Sequence, residues 1–123
     1  MIELDKINEM LDEIAHTLPQ EIYEQLNGGV VLVPDIKYHP QARSNDLYIM
    51  GEYHRDRMMG RYIIIYGGSF QQLYGNSTEE QMKKQLEKTL KHEFVHHIES
   101  LAGEKDLEVE DAVKLQKYRE RGF

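Results

Sequence analysis

Between Ser77 and Gly103 the chain holds one long amphipathic pattern, and that pattern narrows the folds open to it. Met82, Leu86, Leu90, Phe94 and Leu101 fall on one side of a helix. Ser77-Thr78-Glu79-Glu80 reads as its start, because a hydroxyl at the cap and a carboxylate three positions later satisfy free N–H groups. The helix is expected to run to about Ala102, where Gly103 can adopt the left-handed conformation that ends it.

Inside this helix stands His92-Glu93-Phe94-Val95-His96. At about 100° per residue, the two histidines lie one turn apart on one face, roughly opposite Leu90, Phe94 and Leu101. That position off the apolar stripe lets them line a cleft. Two imidazoles so spaced can share one zinc ion, and Glu93 is placed to take a proton from water on the metal. Zinc lowers the pKa of such water towards neutrality, so a neighbouring carboxylate generates hydroxide at ordinary pH. The pattern points to metal-dependent hydrolysis, most often of peptide bonds.

The residues before it predict both helices and strands. Leu4, Ile7, Leu11, Ile14 and Leu18 follow helical spacing. Pro19 opens a second short helix with Ile22, Tyr23 and Leu26 as its apolar side, and Asn27-Gly28-Gly29 stops it. Val30-Val31-Leu32-Val33 is a β-branched run closed by Pro34, and Asp35 to Asp46 reads as a loop. Leu47-Tyr48-Ile49-Met50, extended towards Tyr53, and Tyr62-Ile63-Ile64-Ile65-Tyr66 are two further strands, joined as an antiparallel hairpin of unread register. Gly67-Gly68 ends the last strand, a helical turn follows over Ser69 to Tyr74, and Val109, Ala112, Val113 and Tyr118 suggest a short last helix.

Composition removes several function classes. The 123 residues suit a single domain, residues 1–123, with a small core. A hydrophobic content of 40% and a charged content of 30% fit a soluble globular protein. The formal charge of -7 argues against nucleic acid and against an anionic membrane, since no basic surplus exists to neutralise phosphates. No cysteine is present, which excludes disulfides, thiolate metal ligands and thiol nucleophiles. The N-terminus lacks a secretion pattern and no apolar stretch approaches spanning length, so a cytoplasmic location is expected.

The order of these segments resembles a known family. Leu18-Pro19 leading to a short helix, a valine-rich strand, Gly51-Glu52-Tyr53, an Ile-rich strand ending in Tyr66, and a helix with His92-Glu93-Phe94-Val95-His96-His97 is similar to the small bacterial zincin-like metallopeptidases, the minimal zincins. The resemblance runs from about Leu18 to His97, and the doubled histidine is its most specific element. It implies a zincin-like α+β fold with N-terminal helices, a small three- to four-stranded sheet, a long active-site helix and a short C-terminal helix. It also implies His92 and His96 as zinc ligands, Glu93 as general base, and a peptide or protein substrate.

The chain departs from the family after His97. Where the family has a glycine and then a presumed aspartate ligand, this sequence has Glu99 and Ala102, and alanine binds no metal. Glu99 is the first candidate for the third ligand, because it shares the face of His92 and His96 and helical side chains lean towards the N-terminus. It lies almost two turns from His92, so a hydrogen bond to a ligand histidine is its other reading. Asp106 is the next candidate, three residues past Gly103, with Glu104 and Glu108 also nearby.

Other histidines and the tyrosines carry less. His97 points nearer the apolar side and reads as a core residue, and His16, His39 and His54 read as surface residues. Tyr53, Tyr62, Tyr66, Tyr74 or His54 can supply a donor for a tetrahedral oxyanion, although core packing is the commoner use of tyrosine. An exposed edge of the Tyr62–Tyr66 strand is expected to seat an extended substrate. The alternative function is a non-catalytic zincin-like module that binds metal or protein. Iron, manganese or nickel also suits two histidines and a carboxylate. Oligomeric state is not legible.

Overall fold

The computed structural model describes residues 1–42 and 47–104, and in them the chain is α+β. Helix α1 (Leu4–Thr17) buries Ile7, Met10, Leu11 and Ile14 along one stripe, as the spacing predicts. Pro19 then caps a single 3-10 turn, Gln20–Tyr23, rather than a short helix that continues to Leu26. Four residues give too few hydrogen bonds to propagate, and Gln25 at φ 61° turns the chain away towards the sheet.

Strand β1 (Gly29–Val33) runs parallel to the strand labelled β5 (Gly60–Tyr66), with Gly29 opposite Tyr62 and Val33 opposite Tyr66. The stretch expected as loop contains a short strand β2 (Lys37–Tyr38), which pairs antiparallel with β3 (Tyr48–Ile49). Met50 separates β3 from β4 (Gly51–Asp56), so the run expected to continue through Tyr53 is divided between a two-stranded ladder and the main sheet. The hairpin register is Gly51 opposite Ile65 through Asp56 opposite Gly60. Asp56 Oδ1 accepts the Met58 N–H at 2.6 Å, and Gly60 at φ +73° supplies the left-handed residue that closes the turn.

Helix α2 (Gly67–Tyr74) follows β5 without a loop, and α3 (Glu79–Glu104) is the long helix. Its cap is Thr78, whose Oγ1 accepts the Gln81 N–H at 3.1 Å. Ser77 instead donates to the Tyr74 carbonyl at 2.6 Å, so the helix starts one residue later than expected. It also runs through Gly103, which permits a stop but does not compel one. The expected short last helix over Val109 to Tyr118 and the candidate donors Asp106 and Glu108 lie outside the described residues.

Met82, Leu86, Leu90 and Phe94 of α3 are fully buried against α1 and against Ile63 and Ile65 of β5. Side chains of this size contribute about 1.5–3 kcal/mol each on burial, which fixes the rotation of α3 about its axis. That rotation turns His92 and His96 outward. Among the described residues no helix is long and apolar enough to cross a membrane.

Candidate metal centre

Because Leu90 and Phe94 are pinned in the core, His92 and His96 stand on the exposed flank of α3 with their rings 4.7 Å apart. Their Nε2 atoms are 3.2 Å apart. Two nitrogens each about 2.0–2.1 Å from one tetrahedral ion lie about 3.3 Å from each other, so the pair has the bite of a zinc chelate. Glu93, one position on, turns inward and is 6% exposed. Burial raises its carboxyl pKa above the ordinary value, and the nearby His92 and His96 only partly offset that.

Strand β4 forms the opposite wall. The sheet order is β1-β5-β4, so β5 is paired on both sides and cannot offer the open edge expected of Tyr62–Tyr66. The outer strand beside α3 is β4. Gly51 makes the approach possible, since a Cβ there would lie 3.0 Å from Thr89 Cγ2 and 3.2 Å from the Ile64 carbonyl oxygen. The resulting cleft, about 760 Å³, is lined by Glu52, His54 and Arg55 on the strand side and by His92, Glu93, His96 and Glu99 on the helix.

The structure thus brings His92, Glu93 and His96 together and puts Glu99 on the same wall. Among the described residues, however, no three His, Cys, Asp or Glu side chains gather as a metal-holding group. The two histidines fit the metal; the third donor is not assembled among the described residues.

A polar network absent from the sequence reading lies at this wall. Glu52 Oε1 accepts from Tyr66 Oη at 2.5 Å and from His54 Nε2 at 2.9 Å, while Oε2 accepts from Lys37 Nζ at 2.7 Å. Burial by itself would raise the Glu52 pKa, but the hydrogen bonds from Lys37, Tyr66 and His54 and the Lys37 charge hold it at about 2. His54, stacked on Tyr62 at 5.3 Å, is therefore a wall of the cleft and more than a surface residue. The alternation of β4 puts Glu52 and His54 on one face, a signal present in the sequence; nothing local brings Lys37 to them.

His97 is structural. It is fully buried, its Nε2–H donates to the Glu24 carbonyl at 2.8 Å, and its Nδ1 accepts from Tyr53 Oη at 2.8 Å. A carbonyl can only accept, which assigns the tautomer. Burial lowers its pKa and keeps the ring neutral. The hydroxyls of Tyr53 and Tyr66 are thus engaged with His97 and Glu52, and Tyr74 lines a neighbouring pocket.

Comparison with known proteins adds the fold. No family model matches the chain, and no curated protein matches it. A solved structure described as a conserved hypothetical protein from Thermo thermophilus is similar, with 26% identity and a TM-score of 0.70. The match spans 84% of this chain and 100% of that one. The fold has a solved counterpart. Its description states no activity.

Proposed function

We propose that this chain is a zinc-dependent metallopeptidase of the minimal zincin kind, working in the cytoplasm on peptide or protein substrates. One observation carries the reading: the His92 and His96 Nε2 atoms stand 3.2 Å apart beside the buried carboxyl of Glu93. Zinc held by the two histidines would supply Lewis acidity, polarising the substrate carbonyl and easing the loss of a proton from water. Glu93 takes that proton as the water oxygen bonds to the carbonyl carbon. The residue is only 6% exposed, which shields that proton from bulk water until the C–N bond breaks. Glu93 then releases the proton to the departing amine nitrogen. The outer edge of β4, the side turned away from β5, would support an extended peptide alongside α3.

Metal content of protein purified without added metal, in wild type and in His92→Ala, Glu99→Ala and Asp106→Ala, tests the site. Near-stoichiometric zinc that disappears in His92→Ala is expected, and loss in either acid variant identifies the third donor. Glu93→Gln should keep zinc and lose turnover of a peptide library; full turnover in that variant removes the proposed base. A second reading, a metal-binding or protein-interaction module without catalysis, is favoured by the lack of a three-donor group among the described residues. Stable zinc with no peptide cleaved by wild type would select it.

A further inference from the structure

A second cavity, about 550 Å³, opens beside His92 and Glu93 towards the N-terminal half of α3. It meets the charged cleft at Gly51, His92 and Glu93, which line both. The two spaces differ in chemistry. The cleft carries Glu52, His54, Arg55 and Glu99, whereas this pocket is walled by Ile49, Met50 and Tyr74, with the uncharged Thr89 and Gln85. Its charged lining groups are Lys88 and, at the junction, Glu93. At that junction Gly51 leaves room for the Thr89 side chain of α3, because a Cβ on Gly51 would press on Thr89 Cγ2 at 3.0 Å. A peptide laid along β4 with a carbonyl beside His92 and Glu93 would have the pocket next to it, since Gly51, His92 and Glu93 line both spaces.

We propose that this pocket selects an aliphatic or aromatic side chain next to the scissile bond, which makes it the specificity pocket of the peptidase reading on which the inference rests. A charged side chain of either sign would meet one like charge, of exposed Lys88 or of Glu93, beside the opposite one, so neither sign is selected, and a polar uncharged one would lose water with few partners to replace it. An apolar side chain gains from Ile49, Met50 and Tyr74. One methylene in such a pocket changes kcat/KM by roughly 10- to 200-fold, so leucine should exceed alanine by at least about tenfold.

Two readouts separate the pocket from catalysis. Zinc-loaded wild type is assayed on peptides that differ only in Leu, Ala, Lys or Glu at the residues flanking one bond, and zinc-loaded Glu93→Gln is titrated with labelled versions of the same peptides by fluorescence anisotropy. Leucine peptides should be cleaved faster, and bound at least about tenfold tighter, than alanine peptides. Thr89→Leu, which fills part of the lining, should bring the Leu:Ala ratio towards one. Tyr74→Ala enlarges the pocket and should move the preference from leucine to phenylalanine or tryptophan, which keeps the test standing if Thr89→Leu fails to fold. Equal binding of the leucine and alanine peptides, or a preference for lysine or glutamate, overturns the pocket. Tight leucine binding without turnover in wild type leaves the pocket standing and removes the peptidase instead.

Discussion

Replacing Glu52 with glutamine should flatten the acid limb of the stability curve. The carboxyl titrates at about 2 against an ordinary value of 4.5, a depression of about 2.5 pH units. At 1.36 kcal/mol per unit this is about 3 kcal/mol before solvent is considered. The side chains of Glu52 and Lys37 are 22% and 41% exposed, so screening leaves about 1–2 kcal/mol. The sign follows from linkage: a depressed carboxyl contributes stability above the unfolded value of 4.5 and loses it as pH falls towards 2. Urea unfolding of metal-free wild type and Glu52→Gln at a series of pH values between neutrality and acid is the assay. Titrations common to both proteins cancel in the difference. Wild type should be the more stable at pH 7 and should lose about 1–2 kcal/mol more than the variant on acidification. Parallel curves would show that Lys37, Tyr66 and His54 do not hold this carboxylate in solution.

Glu93 has the opposite slope. Its folded pKa is raised, so in the absence of metal the cost of a buried charge grows as pH rises through that value. Metal-free Glu93→Gln should therefore unfold at higher urea than wild type at pH 7 and lose the advantage in acid; a variant no more stable at pH 7 contradicts the burial argument. His97→Ala leaves the Tyr53 hydroxyl and the Glu24 carbonyl without their partner inside a new cavity, and should cost about 2–4 kcal/mol by the same method. Zinc content of the folded fraction should match wild type, and its loss would make His97 a metal ligand.

Helix α3 was legible because its signal is local. Leu90 and Phe94 must face the core, and a pitch of about 3.6 residues per turn then sends His92 and His96 outward wherever the helix is placed. The same locality explains the small errors. Ser77 and Thr78 both carry a cap-competent hydroxyl, and the choice between them depends on the Tyr74 carbonyl that Ser77 finds at the end of α2. Gly103 allows a left-handed stop, but nothing requires the helix to use it.

What the residues determine by themselves is therefore the long helix, the N-terminal amphipathic helix, the main strand runs and the two histidines one turn apart with Glu93 beside them, all set by spacing along one chain. Tertiary structure alone decides that β5 lies in the middle of the sheet and β4 at its edge, because strand order depends on which apolar faces meet and leaves no periodic trace. It also decides the Lys37–Glu52 contact, made across fifteen positions through the short ladder of β2 with β3. His97 shows the division within one residue: its place near the apolar side is written in helical pitch, but its neutral, doubly bonded state comes from Glu24 and Tyr53, which only folding brings to it.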